Sequence, residues 1–303
     1  MVAKMAEKKK DKPQTKFDKL VEKGFEHYDK QEYEKAEKKF IEAYKLEPEK
    51  MDILRILANY YLSLGQFPKG LEFIQKAIEL DPNDSIALMI QGNLYLDSKD
   101  FENAEKSYRL AAEKTPENID AWFNLGELYR LQNKYDEALE YYIKAEVLDS
   151  SDIEVLVNIA GIFDLLEYTE EAMIYYYKIV KLNPSAYMFW GRLADIHYYK
   201  SELEEALECT EKIVEIIPDD FNSWNNIGYL HLKLKNFEKS KEILLKTLEI
   251  NDEYPLTWSS LGELYEELGD ENEAIKHYEK ALSLDPNQKD AIEGLERLKK
   301  NEK

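Results

Sequence analysis

The sequence predicts an all-α protein built as a solenoid of antiparallel helix pairs. Three observations predict this fold: a 34-residue period, small residues at two fixed places within it, and a recurrent Pro near its end. The period is visible in the segments AWFNLGELY (121–129), SWNNIGYLH (223–231) and TWSSLGELY (257–265). A fixed period of this length is typical of stacked supersecondary units, because each unit must offer its neighbour the same interface.

Eight repeats of 34 residues fit between Phe17 and Gln288 without an insertion or deletion. Their bounds are 17–50, 51–84, 85–118, 119–152, 153–186, 187–220, 221–254 and 255–288. Residues 1–16 carry six Lys against two acidic residues and have almost nothing to bury, which predicts a basic disordered tail. Residues 289–303 have apolar residues at helical spacing, which predicts a capping helix.

Each repeat, counted from its first residue, is predicted to contain two amphipathic helices. Positions 4, 7, 8 and 11 share one helical face, and positions 20, 24 and 27 share a face of the second helix. Positions 8 and 20 are nearly always Gly or Ala, so we expect the two backbones to approach closely there. Large side chains at positions 4, 11 and 24 are expected in the core, and the Tyr residues at position 24 are Tyr108, Tyr142, Tyr176 and Tyr278.

Residues that typically end helices also recur at fixed places in the repeat. Gly65 and Gly269 fall between the two helices of their repeats, where a left-handed cap is expected. Six repeats have Pro at position 32, just after the second helix, whereas Ser150 and Asp252 replace it in two repeats. Larger or polar residues at several packing positions, such as Thr247, predict less regular packing in repeats 5 to 7.

This pattern resembles the tetratricopeptide repeat throughout the eight repeats. The resemblance implies a right-handed superhelix whose first helices line a concave groove, with positions 2, 5, 6, 9, 12 and 13 projecting into it. Position 6 of four consecutive repeats holds Asn124, Asn158, Arg192 and Asn226. Such an amide ladder can grip the backbone of an extended peptide, because each amide both donates and accepts hydrogen bonds. Asn is also common at this position in the family, so a neutral role for these residues stays open.

Further candidates for the groove surround that ladder. Amphipathic side chains of the kind that dominate interface energetics stand at its projecting positions: Phe123, Arg130, Met188, Tyr198, Tyr199 and Tyr229. Gly161 and Gly191 project into the same stretch and would leave open space beside a ligand. A different family mode, a clamp for a C-terminal carboxylate, begins with Arg55 but then meets Ile90, so it is disfavoured.

The sequence has no sign of catalytic, metal or cofactor chemistry. It has no Gly-rich phosphate loop, no HExxH, no CxxC and no nucleophile elbow, so we expect neither an enzyme nor a cofactor. His197 and His231 are 34 residues apart, but they stand at position 11, where five other repeats have Tyr or Phe. We interpret both as packing residues and expect no metal site. The lone Cys209 cannot form an internal disulfide, which favours a reducing compartment and predicts a cytoplasmic location.

The sequence thus predicts a non-catalytic adaptor that binds an extended peptide or partner segment in its concave groove. The net charge of −21 disfavours nucleic acid and favours a basic or apolar protein partner, although acidity also serves solubility alone. No apolar run is long enough for a membrane segment. Two alternatives stay open: a structural assembly platform that uses its outer faces, with Tyr141, Tyr175 and Tyr177, or a substrate-recognition subunit of a separate enzyme.

Overall fold

The computed structural model describes residues 14–301, and over that range the chain forms seventeen α-helices. Their bounds are α1 Lys16–Asp29, α2 Tyr33–Leu46, α3 Met51–Ser63, α4 Phe67–Leu80, α5 Ser85–Asp97, α6 Phe101–Lys114, α7 Ile119–Leu131, α8 Tyr135–Leu148, α9 Ile153–Leu165, α10 Thr169–Leu182, α11 Tyr187–Tyr199, α12 Leu203–Ile216, α13 Phe221–Lys233, α14 Phe237–Ile250, α15 Pro255–Glu267, α16 Glu271–Leu284 and α17 Lys289–Asn301. The chain divides into two compact units, an N-terminal and a C-terminal unit, on either side of the Val155–Leu156 bond.

Each repeat contributes one pair of helices, which confirms the predicted fold class. In repeats 2 to 8 the first helix spans positions 1 to 13 and the second spans positions 17 to 30. The first helix of repeat 1 begins at Lys16 and has a capping box, in which the backbone N–H of Asp18 donates to the Thr15 hydroxyl over 3.1 Å. Thr15 and Lys16, predicted to be tail, are therefore the cap and the first residue of this helix. Residues 1–13 lie outside the described part of the chain.

Between the two helices of each repeat, the chain reverses direction at a residue in position 15 that has a positive φ. Only two of these residues are the predicted glycines, with φ of 67° and 78°. The others are Gln31, Lys99, Asn133, Glu167, Ser201 and Lys235, with φ between 58° and 64°. In repeat 2 the N–H of Gly65 donates to the Leu62 carbonyl and the N–H of Gln66 donates to the Tyr61 carbonyl, both over 2.9 Å. The same two bonds recur in all eight repeats, so a Schellman motif ends every first helix.

The core of a repeat forms where a side chain at position 24 meets the small residue at position 8. A Cβ atom added to Gly126 would lie 2.6 Å from the Tyr142 ring, and one added to Gly262 would lie 2.5 Å from the Tyr278 ring. All four Tyr residues at position 24 are buried, as predicted. At position 8, however, Gly makes room for a large side chain, which is a ring in four repeats and Leu244 in repeat 7, and not for a second backbone.

Close backbone approach is found instead at position 20. A Cβ atom added to Gly70 would lie 3.2 Å from the backbone carbonyl oxygen of Ala58, which is the position 8 residue of the same repeat. Position 20 is fully buried in the repeats with Ala at this place, as Ala104, Ala138 and Ala274 show. The two small positions of the repeat thus have different roles.

Every Trp links its own repeat to the preceding one. Each indole N–H donates to the backbone carbonyl of the residue six places earlier, at position 32 of the preceding repeat. The bonds join Trp122 to Pro116 (2.8 Å), Trp190 to Pro184 (3.0 Å), Trp224 to Pro218 (2.7 Å) and Trp258 to Asp252 (2.7 Å). The bond therefore does not require Pro. The second helices before Ser150 and Asp252 also end at position 30, as they do before Pro.

The less regular packing expected in repeats 5 to 7 is not visible at the substituted position 27. Ile179 and Thr247 are fully buried, and the Thr247 hydroxyl donates to the Ile243 carbonyl over 2.9 Å. The larger side chains are accommodated within the core.

The last helix, α17, packs on α15 and α16. Ala291 and Leu298 are buried beside Tyr278, whereas Ile292 is exposed. Two hydrogen bonds of 3.1 and 3.0 Å join the guanidinium of Arg297 to the Glu266 carboxylate. The apolar face of repeat 8 is covered in this way.

Two glycine variants test the packing at position 8. Gly126→Ala should lower the free energy of unfolding by about 1–3 kcal/mol, because the added methyl group overlaps the Tyr142 ring. Gly161→Ala is the matched control, because a Cβ atom there has no neighbour within 4 Å. Its higher helix propensity should leave stability unchanged or raise it by up to about 1 kcal/mol. Urea unfolding followed by circular dichroism measures both, and equal effects of the two variants would contradict this account.

Candidate functional site

The N-terminal unit has a pocket of ≈ 290 Å³ on the face formed by its first helices. It is lined by Phe25, Ile56, Asn59, Ile86, Met89, Ile90, Asn93, Asn118, Asp120 and Asn124. Apolar side chains therefore stand beside four amides. Of this set, only Asn124 was predicted from the sequence. The apolar residues at projecting positions of repeats 2 and 3 could also have indicated this pocket.

The other candidates of the N-terminal unit are engaged in internal contacts. The Phe123 ring packs against the Tyr142 ring, with 5.5 Å between centroids. Arg130 donates to the Glu127 carboxylate over 2.9 and 2.7 Å. Neither residue lines the pocket. Arg55, the first residue of the disfavoured carboxylate clamp, forms an ion pair of 2.5 Å with Asp84.

The C-terminal unit has a pocket of ≈ 260 Å³ that brings four predicted residues together: Tyr198, Tyr199, Asn226 and Tyr229. Its other lining residues are Ala194, Asp195, Ala206, Thr210 and Leu230. The Tyr198 ring centroid lies 6.0 Å from that of Tyr199 and 6.3 Å from that of Tyr229. The Tyr199 side chain is 84% exposed, so this ring is available to a partner.

Tyr229 differs from the other two rings because it also supports the fold. It packs against a buried cluster that contains Leu232 and Leu261, and burial raises the pKa of its hydroxyl to about 12. The Lys233 ammonium lies 4.7 Å from the ring centroid and forms an ion pair with Glu263. Truncation of Tyr229 would thus alter stability as well as the pocket, so this residue does more than project into the groove.

The remaining candidates of the C-terminal unit lie outside its pocket. Arg192 forms an ion pair with Asp164, and its hydrogen bonds to Tyr176 and Asp164 raise the pKa of its guanidinium. Met188 is 66% exposed, and Asn158 on α9 is partly buried. The predicted bare surface is present at Gly161, where an added Cβ atom would meet nothing within 4 Å, and nearly so at Gly191, where the nearest atom is 3.9 Å away.

His197 is buried, and its ring nitrogens are already engaged. The Nδ1 atom lies 2.6 Å from the Glu202 carboxylate, and Nε2 lies 2.6 Å from the Tyr177 hydroxyl. Burial raises the pKa of the nearby Cys209 thiol to about 11, so this thiol is protonated near neutral pH and is a poor nucleophile. Within residues 14–301, no three His, Cys, Asp or Glu residues cluster in a way that could hold a metal ion.

The outer surface differs from expectation at one residue. Tyr141 is buried, because its ring stacks on Trp122 at 6.2 Å and on Tyr129 at 5.4 Å between centroids. The prediction of an exposed Tyr141 on the outer face is therefore wrong. Tyr177 is 40% exposed, but its hydroxyl is bonded to His197.

The tetratricopeptide repeat family matches most of the chain in sequence, over residues 22–85, 91–153, 153–185, 189–220, 221–254 and 255–288. No curated protein sequence matches the chain significantly. None of the helices between residues 14 and 301 is long and apolar enough to span a membrane.

Solved structures with a similar fold include the C-terminal part of a TPR repeat-containing protein from Cytophaga hutchinsonii, with a TM-score of 0.58 and 17% identity over 80% of this chain and 99% of that one. YrrB, described as a TPR protein with an unusual peptide-binding site, has a TM-score of 0.46 and 24% identity over 65% and 97% of the two chains. The Cut9–Hcn1 assembly of APC/C has a TM-score of 0.42 and 16% identity over 88% of this chain and 52% of that one. This chain thus spans about half the length of that relative.

The buried His231 leads to a prediction for pH dependence, because neither of its ring nitrogens has a hydrogen-bond partner among residues 14–301. Burial lowers the pKa of His231 from its ordinary value of 6.5, and the charge of Lys239 lowers it further. Around and below pH 6.5 the unfolded chain therefore binds a proton at this residue more readily than the folded chain does. This residue should therefore make the folded state less stable as the pH falls.

The variant His231→Phe should remove that contribution to the pH dependence. The difference in unfolding free energy between the parent and His231→Phe should shift in favour of the variant as the pH falls from roughly 8 to 5. Urea unfolding at each pH measures this difference. A difference that stays constant over the range would contradict a depressed pKa.

Proposed function

Because the chain belongs to the tetratricopeptide repeat family, we propose that it is a non-catalytic adaptor that binds an extended segment of another protein on its first-helix face. The family consists of protein–protein interaction scaffolds, and its repeat fold is typically non-catalytic. The observation that carries the finer proposal is the pocket of the C-terminal unit. There Tyr198, Tyr199 and Asn226 line one cavity without being needed to fill the core.

The chemistry of these side chains suits an extended peptide. The exposed Asn226 amide can donate to a backbone carbonyl and accept from a backbone N–H. The Tyr199 ring offers a large, rigid contact area for a partner side chain at a small cost in conformational entropy. Asn124 gives the N-terminal unit an amide beside an apolar wall that includes Ile86 and Ile90. Each unit thus has its own candidate surface for a partner segment.

The charge of the chain suggests the character of this partner. A net charge of −21 favours a basic or apolar segment and disfavours nucleic acid, since it repels phosphate groups. We also propose a cytoplasmic location, because the single Cys209 favours a reducing compartment.

A second candidate function is supported by apolar exposure on the second helices. Val147 on α8 is 80% exposed and Ile174 on α10 is 55% exposed. Single exposed apolar residues are common on soluble proteins, but side chains of this size can also anchor a second protein. An assembly platform that uses the outer faces is therefore the alternative to a groove-binding adaptor.

A displayed library of short peptides, selected on the immobilised chain, tests the proposed function. Titrations of a selected peptide should show that Asn124→Ala or Asn226→Ala weakens binding by about 0.5–1.5 kcal/mol, because water replaces the lost hydrogen bonds imperfectly. Tyr199→Ala should weaken binding at least as much. Isothermal titration calorimetry gives the affinities, and circular dichroism checks the fold.

The matched controls are Asn287→Ala and Tyr187→Ala, which remove the same side chains from exposed places outside both pockets. Both should bind like the parent. Selection of no peptide, or parent-like binding by all three pocket variants, would contradict the proposal. Loss of binding in Val147→Ser or Ile174→Ser with no effect of the pocket variants would favour the outer faces.

A further inference from the structure

The pocket of the C-terminal unit contains one carboxylate and no cationic side chain. Asp195 contributes the carboxylate, and the remaining lining residues are uncharged. The surrounding protein desolvates Asp195 enough to raise the pKa of its carboxyl group above the ordinary value. Within residues 14–301 the carboxylate has neither an ion pair nor a hydrogen bond, so no group in that range is bonded to it.

The cations around this pocket are already engaged elsewhere. Arg192, one helical turn before Asp195, acts on it electrostatically, but its guanidinium is bonded to Asp164. Lys233 forms an ion pair with Glu263. The Lys200 ammonium lies 3.0 Å from the Glu170 carboxylate. A cation for Asp195 would thus have to come from another molecule.

The aromatic rings of the pocket favour the same kind of ligand. Lysine ammonium groups lie over several other rings of this chain, for example Lys246 at 3.9 Å from the Trp224 centroid. Among the described residues no Lys or Arg lies over the rings of Tyr198 and Tyr199. The Tyr199 ring, which is 84% exposed, is therefore open to a cation from solution, and such contacts are favourable even at exposed sites.

We propose that this pocket binds an arginine side chain of the partner segment, with the guanidinium bonded to the Asp195 carboxylate and stacked on the exposed ring of Tyr199. A planar guanidinium can donate two parallel hydrogen bonds to a carboxylate while one face rests on an aromatic ring, which an ammonium group cannot do. The acidity of the whole chain would attract such a segment. This inference rests on the proposed function, because it names the chemistry of the segment that the adaptor would hold.

Two capped tripeptides that differ only in charge test the inference on the full chain. Acetyl-Gly-Arg-Gly-amide should shift the backbone amide resonances of Asp195, Tyr198 and Asn226 in ¹⁵N spectra. Acetyl-Gly-citrulline-Gly-amide has the same shape without the charge and should bind roughly tenfold more weakly, because charge-assisted hydrogen bonds are lost. The corresponding Lys tripeptide should bind between the two.

A matched pair of charge variants separates this pocket from the general acidity of the chain. Asp195→Asn should reduce the preference for arginine over citrulline to near unity. Glu249→Gln removes the same charge from an exposed place on α14 outside the pocket and should keep the preference. A preference that persists in Asp195→Asn would overturn the inference, as would shifts at other residues or no binding at millimolar concentration. Equal binding of the Lys and Arg tripeptides would overturn the stacked geometry.

The same design distinguishes this inference from the proposed function. Replacement of each arginine by citrulline in a library-selected peptide should weaken its binding to the parent but not to Asp195→Asn. If that peptide needs Asn226 but is indifferent to citrulline, the adaptor function stands and the arginine pocket is wrong. If no peptide is selected and no tripeptide binds, both are wrong.

Discussion

The helix pairs of five repeats depend on contact between a large side chain at position 24 and a Gly at position 8. The Tyr278 ring shows why this contact sets more than a distance. It packs against Gly262, and its hydroxyl donates to the Glu266 carboxylate over 2.8 Å on the same first helix. A buried hydroxyl without an acceptor costs about 1–3 kcal/mol. The ring therefore fixes both how near the two helices lie and how far one is shifted along the other.

On α11 this arrangement leaves several side chains of the opposite face outside the core. Leu193 and His197 on α11 are buried toward the core, whereas Asp195, Tyr198 and Tyr199 on the same helix reach the pocket. A substitution at these pocket positions does not change the contact that holds the helix pair together. The scaffold can thus keep one geometry while its surface takes on a particular partner.

Much of this structure could be predicted from the sequence, because the core repeats with a fixed period. The helix pairs, the buried Tyr residues at position 24 and the left-handed Gly65 follow from spacing and residue type alone. The left-handed Lys99 and Glu167 could not be predicted in this way, since neither residue favours a positive φ. The bonds of the turn impose that conformation, and they become visible only in three dimensions.

The candidate site was predictable to a similar extent. The grouping of Tyr198, Tyr199 and Asn226 follows from repeat positions, because equivalent residues of adjacent repeats lie near one another. Asp195 was missed because an acidic residue on a helix of an acidic chain looks like ordinary solvated charge. Tyr141 was misplaced because the stacking of its ring between Trp122 and Tyr129 is a tertiary contact without a local signal. Residue type alone does not tell whether a polar ring is a surface or a core group.

The indole-to-carbonyl bond adds strength to some repeat boundaries and not to others. Trp224 joins repeat 7 to repeat 6 in this way, whereas the boundary between repeats 2 and 3 has Leu88, which cannot donate a hydrogen bond. In a linear array whose stability is a sum of nearest-neighbour couplings, such differences decide where the array opens first. The pocket of the C-terminal unit is lined by residues of repeats 6 and 7, whose boundary has the Trp224 bond. This part of the surface should therefore fluctuate less in the free protein. Less conformational entropy of the protein would then be lost when a ligand binds there.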